Sequence, residues 1–232
     1  MKLRNTGMLL GVLLGSSVAQ ADLILSDAGD GTVDATSVID TGSFNAQAGQ
    51  LVTDRAFILP FLLPTLGAGE GFATADLRLM LFGQNAAADD FNADVYGLNR
   101  IDASSAILSS DFFIGASDAG ATLIQDNFFT PTSPGLGTPV NSDATGDANL
   151  AAWLNLQYGG GANAGQFVFL RVNADEDPAG DARYDVLTQN AGGASEKPLI
   201  TYTAAMVPEP GTAALMVLGL LAFRRWRGGR RS

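Results

Sequence analysis

Strict alternation of apolar side chains marks two segments of this chain. Leucines occupy every second position of residues 77–82, and Val168, Leu170 and Val172 do the same in residues 167–172. A period of two indicates a strand with one buried face. Shorter runs of the same kind occur at residues 23–25, 56–61, 93–98, 121–124, 184–187 and 199–202. Because helices do not alternate with these strands, we expect an antiparallel sheet and no βαβ units.

One segment has a helical period instead. The spacing i, i+3, i+4, i+7 is shown by Leu150, Trp153, Leu154 and Gln157. We expect Asp147 to cap the start of this helix and the glycines at 159–161 to end it. Because Trp153 shares the apolar face, we expect it to anchor the core and not to bind sugar. Together these patterns predict an all-β antiparallel β-sandwich, jelly-roll-like, with one short helix.

The N-terminal residues 1–21 have the pattern of a secretory signal peptide. Lys2 and Arg4 precede an apolar run at residues 8–14, and the segment closes with small side chains that include Ala19 and Ala21. Signal peptidase requires small residues at these two positions. We therefore expect export, with a mature protein that begins near Asp22.

The C-terminal residues 204–232 form a second apolar segment with a basic end. Residues 211–223 are apolar, which is shorter than the roughly 20 residues of an ordinary membrane-spanning helix. The residues before this stretch are Val207, Pro208, Glu209 and Pro210, and the basic cluster after it includes Arg224, Arg225 and Arg227. Arginines can snorkel to the interface, and their charge keeps that end in the cytoplasm.

The order of Pro-Glu-Pro, apolar helix, arginine cluster and chain end resembles the PEP-CTERM sorting signal of Gram-negative bacteria. The resemblance covers Val207 to Arg227. It implies recognition by an exosortase-like membrane protease, cleavage near Pro208-Glu209-Pro210, and delivery to the cell envelope or an extracellular polysaccharide matrix. The alternative is a plain C-terminal membrane anchor that is not cleaved.

The remaining ectodomain, residues 22–203, is strongly acidic and contains neither histidine nor cysteine. Its 23 acidic and 6 basic side chains give a net charge of −17. Nucleic acid is excluded as a partner because its phosphates would be repelled. The missing residue types exclude Ser-His-Asp and Cys-His nucleophiles, thiolate redox centres and disulfides. Cations, calcium above all, and neutral polymers fit this charge.

Five carboxylates lie within eleven positions of one inter-strand loop. They include the candidate calcium ligands Asp175, Glu176, Asp177 and Asp181, followed by Asp185. Hard oxygen ligands on a flexible loop suit calcium at the affinity of extracellular modules. A solvated acidic loop explains the same residues, and the lack of EF-hand spacing favours that interpretation. No other cofactor is expected.

The ectodomain also resembles the DNRLRE type of β-sandwich. The resemblance rests on the order of residues 55–61, residues 75–81, the Trp153 helix, residues 167–172 and residues 197–202. It implies a binding or structural role, since such domains are similar to carbohydrate-binding modules. We therefore expect a non-enzymatic envelope or matrix protein, structural or carbohydrate-binding. The alternative is a secreted polysaccharide-active enzyme, a glycosidase or lyase, that uses a carboxylate pair.

Overall fold

The computed structural model describes residues 21–85, 91–133, 136–193 and 195–206. In this part of the chain the structure is antiparallel β with one α-helix, so the expected all-β class is confirmed. The strands are β1 (Ala21–Leu25), β2 (Gly31–Asp34), β3 (Ile39–Thr41), β4 (Asn45–Gln50), β5 (Asp54–Leu62), β6 (Glu70–Gln84), β7 (Ala93–Asp102), β8 (Ala121–Phe129), β9 (Pro139–Asn141), β10 (Phe167–Ala174), β11 (Arg183–Leu187) and β12 (Leu199–Met206). The helix α1 spans Ala144–Tyr158 and lies between β9 and β10 in the chain.

The strands form one curled sheet in the order β1-β12-β6-β11-β4-β5-β10-β7-β8. The β2–β3 hairpin joins β5, and β9 joins β6. The 15-residue β6 pairs with β12 along its first part and with β11 near its end. Just after β1, Ser26 bridges to Phe61 of β5, so the sheet curls back toward its own first strand.

The main core lies inside this curl. The alternating residues Leu77, Leu79 and Leu81 of β6 are buried there, together with Val168, Leu170 and Val172 of β10. A smaller apolar cluster on the other side of the sheet contains Phe169 and is covered by the chain around Ile107. β10 is therefore buried on both faces, which explains its apolar residues at both alternating positions.

The helix α1 begins one turn earlier than the sequence predicts. Asp143, and not Asp147, is the N-cap, because its carboxylate accepts hydrogen bonds from the backbone N–H groups of Thr145 and Gly146. The expected cap at Asp147 is therefore wrong, and that residue lies in the first turn. At the other end, Gly159 adopts a left-handed conformation with φ 57°. The predicted end of the helix at the glycine run is confirmed.

Trp153 fixes the helix on the sheet. Its side chain is only 2% exposed, which confirms the expected core role. The ring lies directly on Gly97 of β7, where an added Cβ would come within 2.3 Å of the indole. A glycine at position 97 is therefore required for this close approach, because any larger residue would push the helix away from the sheet.

Both described chain ends lie on the same pair of strands. Ala21 at the start of β1 is opposite Thr203 of β12, and β12 continues only to Met206. The predicted signal peptide, apart from Ala21, lies outside the described residues. Of the predicted tail, residues 204–206 lie in β12, and the rest, with Val207, Pro208, Glu209, Pro210, Arg224, Arg225 and Arg227, lies outside the described residues. Among the residues that are described, no helix is long and apolar enough to span a membrane.

Candidate binding groove

A groove of about 360 Å³ lies between the β2–β3 hairpin and the start of β5. The residues that line it are Thr32, Asp34, Val38, Ile39, Asp40 and Arg55. It combines carboxylates, a guanidinium group, a hydroxyl and aliphatic side chains on one small surface. Sequence reasoning did not identify this site, because the hairpin reaches Arg55 only through the pairing of β2 with β5.

Asp34 holds the hairpin that forms one wall of the groove. Its carboxylate accepts hydrogen bonds from the backbone N–H groups of Thr36 and Val38 and from the hydroxyls of Thr36 and Thr53, at 2.8–3.3 Å. Burial disfavours the charged form, but these hydrogen bonds outweigh burial and hold the pKa of Asp34 below its ordinary value. Asp34 is therefore a fixed anion in the wall of the groove.

Arg55 supplies the positive charge of the groove. Its Nη1 donates to Oε1 of Gln47, and Gln47 in turn donates from Nε2 to Asp185 at 2.7 Å. Among the described residues, no carboxylate lies within ion-pair distance of Arg55, and its buried Nε–H has no hydrogen-bond acceptor. Gln47 thus orients the guanidinium group without neutralising it, and donor capacity remains for a ligand.

The hairpin turn adds an apolar edge to the groove. Val38 and Ile39 are 59% and 39% exposed, although both are aliphatic. Ser37, at the tip of the turn, has a positive φ of 69°, and its N–H donates to the backbone carbonyl of Asp34. The turn therefore holds two aliphatic side chains beside the charged groups.

The groove and the chain ends lie at opposite ends of the sheet. Arg55 is the second residue of β5, and six residues further along Phe61 lies opposite Ser26, directly after β1. β1 continues the same line for another five residues to Ala21. At about 3.3 Å per residue, this path is on the order of 35 Å long. Segments attached at Ala21 and Met206 therefore emerge far from the groove.

The predicted calcium ligands are directed toward different partners. Arg183 forms ion pairs with both Asp181 and Asp185, and Glu176 and Asp177 are exposed. Asp175 lies near Asn92, with its backbone N–H bonded to the carbonyl of that residue. Within the described part of the chain, no group of three or more acidic side chains is arranged to hold a metal ion. Calcium binding at this loop stays a prediction.

Two buried carboxyl groups have raised pKa values. Burial raises the pKa of Asp30 to about 6 against the hydrogen bonds from Gln189 N–H and the Ser26 hydroxyl. Burial likewise raises the pKa of Asp94 to about 6, and the charges of nearby acidic residues add to the effect. Each group is less than 2% exposed. Their ionisation therefore acts against folding.

We expect the protein to become more stable as the pH falls from 7.5 to 5. Asp30 and Asp94 bind protons more tightly in the folded state, so their ionisation destabilises the fold. This loss of stability is removed as the pH falls from about 6, their pKa in the folded state, to about 3.8, their pKa in the unfolded state. Between pH 7.5 and 5 the gain is about 1.4 kcal/mol per group, because about one pH unit of this range lies below the folded pKa. Urea unfolding at both pH values measures it. Asp94→Asn should flatten the pH dependence, whereas the exposed Asp177→Asn should leave it unchanged; an equal slope in both variants would contradict the assignment.

A buried ionic network fastens a long loop to the outer face of the sheet. Arg171 of β10 is 1% exposed, and its Nη2 lies 2.8 Å from Asp118. Arg100 of β7 contacts Asp111 at 2.6 Å and stacks on the ring of Phe169 at 3.5 Å. Because these cations are paired, they hold the loop in place, and Arg55 differs from them in remaining open to a ligand.

No protein-family model matches the chain, and no curated protein sequence matches it.

Proposed function

We propose that this chain is an exported, non-enzymatic protein of the cell envelope or extracellular matrix that binds polysaccharide. Its curled sheet is assigned to the jelly-roll-like β-sandwich class, similar to carbohydrate-binding modules. Residues 1–21 act as a signal peptide removed by signal peptidase between Ala21 and Asp22. The PEP-CTERM-like tail that follows β12 is handled by an exosortase-like protease, with a transient inner-membrane stage before release.

The observation that carries the binding role is the groove at Arg55. Carbohydrate sites combine a few oriented polar groups with apolar contact surface. The guanidinium group of Arg55 and the carboxylate of Asp40 supply hydrogen bonds, while Val38 and Ile39 supply aliphatic surface. Arg55 forms no ion pair among the described residues, so its charge stays available to a ligand in a domain of net charge −17.

The position of the chain ends supports the sorting part of the proposal. A tail attached beyond Met206 leaves the domain at the end opposite the groove. A protein still held in the membrane by that tail would therefore present its groove to the surrounding matrix. Cleavage at Pro208-Glu209-Pro210, which directly follows Val207 in the chain, would then release the domain from the membrane.

One fractionation experiment tests both parts. In a host that carries an exosortase, the parent protein is expected in the polysaccharide matrix fraction. Replacing Pro208, Glu209 and Pro210 with alanine should leave most of the protein in the membrane fraction, because processing is lost. Arg55→Ala should instead be processed normally and appear in the medium. Immunoblots of membrane, matrix and medium measure the distribution, with Arg78→Ala as a charge-matched control.

The outcomes separate the two claims. Unchanged release of the triple-alanine variant would contradict exosortase sorting and favour a different route out of the cell. Matrix retention of Arg55→Ala equal to that of the parent would contradict binding through the groove.

A polysaccharide-active enzyme remains the second candidate, since Asp34 and Asp40 both line the groove. A glycosidase needs one carboxyl group that stays protonated to act as an acid. Asp34 is unsuited to that role, because four hydrogen bonds stabilise its charged form. An increase in reducing ends during incubation with bound polysaccharide would favour the enzyme over the binding protein.

A further inference from the structure

We propose that the groove selects a neutral polysaccharide and rejects acidic ones, by binding adjacent hydroxyl groups between Arg55 and Asp40. This inference rests on the proposed polysaccharide-binding function and adds the chemical class of the ligand. It follows from the charges, the open hydrogen-bonding positions and the apolar edge of the groove.

The local charge of the groove disfavours an acidic ligand. Two carboxylates, Asp34 and Asp40, face one guanidinium group, that of Arg55. Asp34 is held in its charged form by its hydrogen bonds, so it cannot adapt to an incoming carboxylate by taking up a proton at neutral pH. A uronate group placed at Arg55 would therefore lie close to two like charges, which offsets the attraction of the single arginine.

The charge of the whole domain acts in the same direction. The net charge of −17 over residues 22–203 repels a polyanion before it reaches the groove. A polymer without charge meets no such barrier. Its binding should therefore change little with salt, whereas any binding of an acidic polymer should depend strongly on salt.

The hydrogen-bonding groups of the groove match a diol. A sugar hydroxyl both donates and accepts, so adjacent hydroxyls can accept from Arg55 and donate to Asp40. Arg55 has donor capacity left, because its guanidinium group carries five N–H groups and, among the described residues, donates one hydrogen bond, from Nη1 to Gln47. Asp40 has acceptor capacity left, because its described hydrogen-bond partner is the exposed Ser43 hydroxyl at 3.2 Å from each oxygen.

The apolar edge completes the match to a sugar. A pyranose ring carries C–H groups on its faces as well as hydroxyls at its rim. Val38 and Ile39 are exposed beside the polar groups and can cover such a face. Contact with these two side chains would not strengthen the binding of a small inorganic anion or a metal ion.

Affinity electrophoresis of the full-length protein tests the inference. The gels contain neutral polymers, namely dextran, xylan, galactomannan and laminarin, or acidic ones, namely alginate and polygalacturonate. The detergent must lack a sugar headgroup, because such a headgroup would compete. We expect at least one neutral polymer to retard the protein with little effect of 50–300 mM NaCl, a range chosen to span roughly a twofold change in screening length. Alginate and polygalacturonate should not retard it.

Three variants locate the binding and report its chemistry. Arg55→Ala should weaken retardation at least tenfold, and Asp40→Asn should weaken it while reducing the rejection of alginate. Arg78→Ala removes one positive charge outside the groove and should bind like the parent. Circular dichroism melting of each variant separates loss of binding from loss of folding, and Arg55→Gln provides a second variant if Arg55→Ala unfolds.

The results distinguish the ligand class from the proposed function. Retardation by alginate or polygalacturonate but not by neutral polymers, abolished in Arg55→Ala, would overturn neutral selectivity and keep polysaccharide binding at the groove. Binding that Arg55→Ala and Arg55→Gln leave unchanged would overturn the assignment of the groove. Failure of every polymer to retard the folded parent would overturn both proposals.

Discussion

Replacing Trp153 with alanine is expected to lower the free energy of unfolding by about 3–5 kcal/mol, the range for a large aromatic residue removed from a core. The indole is 2% exposed and fills the space between α1 and the glycine at position 97. Its removal leaves a cavity that the sheet cannot fill, since residue 97 has no side chain. Urea unfolding followed by circular dichroism measures the change.

Two further variants make this result specific. Leu156→Ala changes a residue of the same helix that is 72% exposed, and it should alter the unfolding free energy by less than about 0.5 kcal/mol. Trp153→Phe keeps part of the apolar volume and removes an indole N–H that has no hydrogen-bond acceptor in the described part of the chain, so it should cost clearly less than alanine. Equal stabilities of Trp153→Ala and Leu156→Ala would contradict the packing of α1.

Fluorescence gives an independent readout of the same contact. The chain has a second tryptophan, Trp226, in the predicted tail, so the measurement uses a Trp226→Phe background. We expect the emission of folded Trp153 to be blue-shifted relative to the urea-unfolded protein. Emission typical of full exposure to water in the folded state would contradict the position of the helix.

Replacing Arg171 with alanine is also expected to lower the free energy of unfolding by about 3–5 kcal/mol, because one partner of a buried ion pair is removed. Arg171 contacts Asp118 and the side chain of Asn173, each at 2.8 Å, and lies 5.0–5.2 Å from the rings of Tyr96 and Phe113. Without Arg171, the loop around Asp118 loses the ion pair that holds it on the sheet. Hydrogen exchange in residues 112–120 should rise more than exchange in β6.

A double substitution separates the loss of the ion pair from the general loss of volume. Arg171→Met retains much of the side-chain volume but leaves Asp118 without its cation. Adding Asp118→Asn removes that uncompensated charge and should recover part of the stability. If the double variant is as unstable as the sum of both single variants, the two residues are not coupled and the network does not hold the loop.

The sequence identified the strands that carry the core. Residues 77–82 and 167–172 lie in β6 and β10, because a strand that buries one or both faces must show apolar residues at fixed intervals. The helix was also identified from its period, and only its cap was misplaced. These elements follow from local pattern alone.

Other strands have no such pattern. β4 reads Asn-Ala-Gln-Ala-Gly-Gln, and its buried side chains include only the two alanines. All three residues of β3 are exposed, and β2 contains Gly31 and Asp34. These short or edge strands exist because a neighbour supplies their hydrogen bonds, so pairing and not propensity determines them.

The groove was missed for the same reason. Asp34 ends a segment, residues 27–34, whose sequence indicates a turn between the first strands, and Arg55 directly precedes an apolar strand in the sequence. Only the register that sets Asp34 opposite Arg55 brings the charges together. The carboxylates after β10 are close in sequence, and this proximity is what makes them candidate calcium ligands. In the structure, however, Arg183 pairs with two of these carboxylates.

The pairing of β1 with β12 determines when this protein can finish folding. β1 is synthesised first and its neighbour in the sheet last, so the intervening chain must be complete before the pair can form. Such a late, long-range closure has a high entropic barrier and delays folding. Until β12 is available, the first half of β6 also lacks its partner strand, so β1 and β6 expose unpaired backbone groups. A nascent chain is therefore most prone to aggregation just before β12 emerges. A stop codon upstream of Leu199 would leave β1 and the first half of β6 permanently without this partner.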